Sequence, residues 1–486
     1  MNLRSLILRL REPQVIRWIF VAGLVLRLSL TAALGNRLLP MADQPVFLDI
    51  AENIAQGRGI SVSQESVGIP ESVTDSMRAV LMNRPERIRD EKLGALWGII
   101  RPDTPTAFFE PFYPVFVGAV RYLFGKTNGT KFGRTEIIHF GPKIYMVRAF
   151  QSLFDAAVIL ILFYIGGYFF TPLVGGIAAL IYSLYPYSLA FVTNLVTQNS
   201  YLFLQATMLF FFVQVLRRQS LFNYALLGVA GGVTLLTRIS LISFLPLLVL
   251  CLYLQLRDGL QWRRLTVSLL MIILAILPWV LRNAAVFGVP QLLPTKGGRN
   301  LWEYNNQNFL PERMEGNFTG MDRIYQNFAR KHFDRLRAKE LLPFPEFTDE
   351  DEIERDRILN QRVLGFIKAN PGVYARLCFL RLYQLFRIQP TNQSGLLVAL
   401  GSWGTFGWIL PASLLGIALS LRQWRKRSVL YAVVFYTVAT AALTASGIPH
   451  RVPTDPYLIL FAAYFLVKIF RLESPGEVPS SSTVRN

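Results

Sequence analysis

The feature that most constrains this chain is a series of apolar runs, each close to the ~20 residues that a helix needs to cross a bilayer. They fall at about 18–34, 149–170, 173–193, 199–216, 222–237, 240–256, 266–281, 396–421, 429–446 and 456–470. A soluble chain of 486 residues would divide into several domains with charged surfaces, whereas this one is 52% hydrophobic and concentrates that content in the runs. The pattern predicts an all-α polytopic integral membrane protein, a single membrane domain over 1–486 with about ten to eleven transmembrane helices.

The formal net charge of +19 raises the question of nucleic acid, and its distribution answers against it. Arg4, Arg9, Arg11 and Arg17 precede the first run. Arg217 and Arg218, then Arg257, Arg263 and Arg264, then Arg422, Arg425, Lys426 and Arg427 sit in short connections. This is the positive-inside pattern of a membrane protein, whose general partners are membrane lipids. Cys251 and Cys378 lie in apolar surroundings and form no spaced pair, so neither a disulfide framework nor a cysteine metal site is expected. No small-residue cleavage site follows the first run, which is expected to stay as an anchor. Arg27 lies inside that run and needs a partner or a wet cavity.

Counting crossings back from the basic loops puts 36–110 and 283–392 outside as two large outer loops, and the Ser/Pro-rich 472–486 inside as a disordered tail. Asp43, Gln198 and His450–Arg451 fall on the same outer side. The stretch 108–124, FFEPFYPVFVGAVRYLF, is apolar but short, and Arg121 interrupts it. By parity it is re-entrant or interfacial; alternatively it spans and a later run is a hairpin that does not cross.

Within the first outer loop, Met41 to Gly59 reads MADQPVFLDIAENIAQGRG. Pro45 favours a helix start, and Val46, Phe47, Ile50, Ala51 and Ile54 recur at helical spacing until Gly57 and Gly59. The spacing predicts a short amphipathic helix lying flat in the interface, with Asp43 at its mouth. Asp43 is then either a reactive carboxylate at the membrane boundary or only a helix cap. In the second outer loop, Asn300-Leu301-Trp302-Glu303-Tyr304-Asn305-Asn306 mixes aromatics with amides, suited to stacking and hydrogen-bonding a sugar or to covering the membrane face as a packed loop. Residues 350–386 read as helix broken at Pro371, with the acidic run Asp349–Glu354 as its solvated start.

Five stretches carry a resemblance. They are Asp43 through Gly59; Glu110-Pro111-Phe112-Tyr113-Pro114; Leu235-Leu236-Thr237-Arg238; Pro278-Trp279-Val280-Leu281-Arg282-Asn283 with Phe287-Gly288 and Asn300-Leu301-Trp302; and His450-Arg451-Val452-Pro453 with Pro456. In this order they resemble the polyprenyl-phosphate-dependent glycosyltransferases of the GT-C fold, bacterial relatives of protein O-mannosyltransferases and of the lipid A aminoarabinose transferase. The resemblance covers nearly the whole chain and points to no particular substrate.

It implies a GT-C-like architecture in the inner (plasma) membrane, with the active site facing the periplasm or exterior. It also implies a polyprenyl-phosphate sugar donor and a lipid, glycan or protein acceptor. An acceptor hydroxyl is a poor nucleophile, so an outer carboxylate takes its proton during attack. Asp43 falls on the family's acidic position, with Glu110 as a second catalytic candidate; Asp49 does not match and reads as a solvated face. The leaving lipid phosphate needs cations, for which Arg238, Arg282 and Arg451 are candidates, each with an ordinary alternative as a snorkelling anchor. Asn300 and Trp302 are candidate substrate contacts. Where the family often places a second acid the chain has Gln198, which positions substrate by hydrogen bonds or marks altered activity. Family members can hold a divalent metal, for which Glu110 is the plausible ligand here. Two other classes remain at this stage. One is a transporter or flippase for a lipid-linked sugar, though no internal repeat is visible; the other is a catalytically silent relative acting as an assembly subunit.

Overall fold

The computed structural model describes residues 3–35, 44–63, 104–126, 130–132, 136–138, 143–305, 350–388 and 396–473. The described chain is all-α apart from two short antiparallel ribbons, Ser61–Val62 (β1) with Thr104–Pro105 (β2) and Thr130–Phe132 (β3) with Glu136–Ile138 (β4).

After Leu3–Leu8 (α1), the helices in order are Pro13–Leu34 (α2), Gln44–Ala55 (α3), Phe112–Phe124 (α4), Ile144–Phe169 (α5), Pro172–Ser183 (α6), Pro186–Val192 (α7) and Thr197–Arg217 (α8). Then come Leu221–Leu235 (α9), Leu245–Leu256 (α10), Trp262–Phe287 (α11), Lys296–Tyr304 (α12), Glu352–Ala369 (α13) and Pro371–Leu385 (α14). Leu396–Trp403 (α15), Phe406–Ser420 (α16), Ser428–Leu443 (α17), Ile448–Arg451 (α18) and Asp455–Ile469 (α19) complete the chain. Among the described residues, 6 helical stretches are long and apolar enough to cross a bilayer, or up to 7 if α6 and α7, bent by 53° at Leu184–Tyr185, count as one span. The shorter apolar helices α9 and α17 pack among them. The protein is an all-α polytopic membrane protein.

Two apolar clusters organise it. The larger runs through α5, α6, α8, α9, α16, α17 and α19. Close crossings depend on glycine: a Cβ on Gly416 of α16 would come within 2.0 Å of the Phe461 carbonyl oxygen on α19. Small residues at such crossings bring helix backbones together where lipid supplies no hydrophobic drive between helices. The smaller cluster lies at one end of the bundle and joins Phe47 and Ile50 of α3, Phe108, Tyr113 of α4, Val147 of α5, Trp302 of α12 and Leu359 of α13.

Arg27 finds its partner in the bundle. Its Nε donates to Asp155 of α5 at 2.6 Å, and Nη1 donates to the carbonyls of Gly23 and Ser183 at 3.0 Å. Tyr182 donates to the other oxygen of Asp155 at 2.7 Å. A charge inside an apolar run is tolerated because it is paired and saturated with hydrogen bonds.

Three expectations change. First, α3 does not lie with one face in water: Val46 through Asn53 are buried, because the helix packs along α4 while the β1–β2 ribbon covers its other side. Second, Asp49 is no solvated face; it is 4% exposed and accepts from the Ser63 backbone N–H at 2.7 Å and from the Ser63 hydroxyl, capping the chain after β1. Third, the acidic start of α13 is only partly solvated. Asp351 is its N-cap, accepting from Glu354 N–H at 2.8 Å, but Glu352 is buried. Helical periodicity in one segment cannot report a second covering element, which is why a single-face reading fails at all three places.

The interruption at Arg121 is also explained, since its guanidinium makes a two-pronged ion pair with Glu52 of α3. The Leu235–Arg238 stretch is a helix break: α9 ends at Leu235, and a 3₁₀ segment, Ile239–Phe244, leads into α10.

Candidate active site

At the end of the bundle that carries the smaller cluster, a cavity of about 290 Å³ opens between α12 and α17. Several chain segments meet around it, among them α8 through Tyr201. The segment entering α4 contributes Glu110, and the break after α9 contributes Arg238, Ile239 and Ser240. The start of α12 contributes Lys296 and Asn300, which lie four residues apart and so on one helix face. Finally, α17 and α18 supply Tyr436, Thr437, Thr440, Thr444 and His450.

The break after α9 positions Arg238. Its guanidinium stacks on the Tyr201 ring, 5.1 Å from the centroid, and its side chain makes no hydrogen bond among the described residues. Tyr201 in turn accepts from Gln205 Nε2 at 3.1 Å, one turn further along α8. A cation held by stacking keeps its five N–H donors for an anion. Lys296 sits over Phe109, its ammonium 4.4 Å from the ring centroid. Glu110 is half-buried between these cations, with one carboxylate oxygen facing Ile239 N–H at 3.4 Å. Burial pushes its carboxyl above the ordinary value; hydrogen bonds to backbone N–H groups and the charges of Lys296 and Arg238 draw it part of the way back.

The remaining candidates stand elsewhere. Arg282 donates from Nη1 to the Thr106 carbonyl and from Nη2 to the Ile60 carbonyl, both at 2.9 Å, and so braces the β1–β2 ribbon. Arg451 is 1% exposed. Its Nε pairs with Asp455 at 3.1 Å, Nη1 donates to the Arg387 carbonyl at 2.7 Å, and its guanidinium rests on Phe406. Neither lines the cavity. Trp302 is buried in the smaller cluster, where it packs α12 onto the core. Gln198 lies in the first turn of α8, with Oε1 buried and without a hydrogen-bond partner among the described residues. Asp43 lies outside the described residues; α3 begins at the next one, where Gln44 accepts from Leu195 N–H at 3.1 Å.

Glu110, Arg238 and Asn300 are therefore the sequence candidates that share one cavity. Lys296, Tyr201, Tyr436 and His450 were not foreseen as lining groups. Lys296 was within reach of a closer reading, because it stands one helical turn before Asn300. Tyr201 and Tyr436 sit inside apolar runs and carry no signal of their own.

Among the described residues Glu110 has no partner ligand for the divalent cation expected there. Its charged neighbours are Arg238 and Lys296, and among the described residues no second carboxylate lines the cavity. Among the described residues no three His, Cys, Asp or Glu side chains gather closely enough to hold a metal.

No protein-family model matches the chain, and no curated protein does. Among solved structures, it is similar to the apo oligosaccharyltransferase of Archaeoglobus fulgidus, with 12% identity, 93% of this chain covered and a TM-score of 0.48. It is also similar to ArnT from Cupriavidus metallidurans bound to undecaprenyl phosphate, with 13% identity, 93% of this chain and 78% of that one covered, and a TM-score of 0.41. The chain spans 50% of the length of the archaeal protein.

Proposed function

We propose that the protein is a membrane glycosyltransferase that moves a sugar from a polyprenyl-phosphate donor to an acceptor hydroxyl at the outer face of the membrane. What supports this reading is the cavity that joins one carboxylate, Glu110, to two cations, Arg238 and Lys296, at the mouth of a bundle of apolar helices. The five motif stretches support it independently, since two of them deliver Glu110 and Arg238 to that cavity.

The chemistry divides among these residues. The acceptor O–H gives its proton to a carboxylate as its oxygen bonds to the anomeric carbon. The bond from that carbon to the phosphate oxygen breaks, and its electron pair leaves with the lipid phosphate. Arg238 and Lys296 balance the charge that develops there. Glu110, with its affinity for a proton raised by burial, is the proposed base within the cavity; Asp43 is the second candidate for that role. Asn300 and the stacked aromatics position the sugar, and the apolar grooves between spans accept the polyprenyl tail.

The test is release of labelled sugar from a polyprenyl-phosphate donor by purified wild type, Glu110→Gln and Asp43→Asn. Turnover by wild type with a loss of about 10²–10⁴-fold in one variant that still binds donor identifies the base. Donor binding without sugar release in wild type, across hexose and pentose donors and with a membrane extract as acceptor, returns the protein to the transporter or assembly-subunit class.

A further inference from the structure

The buried carboxylate of Glu352, at the start of α13, has no place in the chemistry above, and it lies where three chain segments cross. It accepts from the Thr106 hydroxyl and the Ala107 backbone N–H, both at 2.8 Å, and from the Thr295 hydroxyl. Thr106 and Ala107 lead into Glu110; Thr295 precedes Lys296. The two segments also touch directly, with Thr295 N–H donating to the Ala107 carbonyl at 3.0 Å. One turn along α13, Asp356 accepts from Gly298 N–H in the first turn of α12. A Cβ on Gly298 would come within 2.4 Å of the Asp356 carbonyl oxygen, so the two helices meet with no slack.

We infer that Glu352 is a positioning residue for the cavity: by clasping the Glu110 segment to the Lys296 helix it fixes the spacing between the proposed base and a phosphate-binding cation. This rests on the glycosyltransferase reading. Two features separate it from ordinary packing. A solvated carboxylate would cap α13 at no desolvation cost, yet this one is buried with a donor on each side. Its donors also lie just outside the cavity, four and three residues before Glu110 and one before Lys296. A displacement of about 1 Å between catalytic groups costs on the order of a hundredfold in rate.

The experiment is a double-mutant cycle on Glu352→Gln and Lys296→Gln, reading kcat and KM for a labelled polyprenyl-phosphate sugar, with hydrogen exchange at Ala107. The amide keeps the shape and one acceptor but turns an N–H toward a donor. The expected result is faster exchange at Ala107 and a fall of about ten- to a hundredfold in kcat/KM, with little further loss when Glu352→Gln is added to Lys296→Gln. Thr295→Val, which removes one donor without touching the carboxylate, should give a smaller loss of the same kind and serves if the glutamine variant folds poorly. Losses that multiply in full, or unchanged kinetics despite faster exchange, overturn the clasp and leave the transferase reading standing. A wild type that neither binds undecaprenyl phosphate nor releases sugar overturns the transferase reading, and this role with it.

Discussion

Glu110 stands between a buried environment that disfavours its charge and two cations that favour it, and the balance leaves it readier to hold a proton than an exposed glutamate. A general base works only when ionised, so activity should climb with pH through a midpoint above the ordinary 4.5 of a glutamate. A pH–rate profile checks this; a midpoint at or below that value removes Glu110 from the role. The cations make a separate prediction. Arg238→Lys keeps the charge but loses the planar fork and the stack on Tyr201, so donor KM should rise about tenfold, while Lys296→Gln should raise it and weaken product-phosphate binding as well. The motifs gave away Glu110, Arg238 and Asn300 because helix breaks and proline entries leave marks in a sequence. Arg282 and Arg451 carry equally marked motifs, yet one braces a ribbon and the other a helix junction. A cation at the end of a span looks the same whether it faces a cavity or a backbone carbonyl, and only the neighbouring segments decide.

At the scale of elements, glycine at helix crossings gives a sharp contrast. Gly416→Ala drives a methyl toward the Phe461 carbonyl, and should cost about 1–3 kcal/mol as α16 and α19 part. Gly231→Ala on α9 meets its nearest atoms at 3.6 Å, ordinary contact, and should be neutral or slightly stabilising through helix propensity. Thermal unfolding in detergent separates the two. The α12–α13 seam has its own pH dependence, because burial raises Asp356 from 3.8 to about 6. The folded form binds the proton more tightly than the unfolded form, so the seam is most stable below pH 3.8 and weakens as pH rises through about 6. Asp356→Asn should flatten the melting temperature across that window. The helices themselves were largely legible, since apolar runs and breaks near Leu235 and Pro371 mark their bounds. What covers α3 and the start of α13 was not, because their partners lie tens to hundreds of residues away in the chain.

For the molecule as a whole, two ion pairs among the described residues are fully buried, Arg27 with Asp155 and Arg451 with Asp455, and the first of them ties the first span to α5. Replacing Arg27 alone by Leu leaves Asp155 buried beside Tyr182 and Asn199, and should cost about 3–5 kcal/mol; replacing both by Leu should recover much of that. A melt of the two variants that shows no recovery would mean that the carbonyl contacts of Arg27, not its charge partner, hold the first span. The pair also carries a consequence for biosynthesis. Arg27 emerges from the ribosome 128 residues before Asp155, so for that interval the first span holds a cation that lipid alone does not accommodate. Its commitment to the bilayer must therefore wait for α5, and the early helices should leave the insertion machinery as a group. A nascent chain halted before residue 155 should stay extractable by alkali, while one halted after α5 should not.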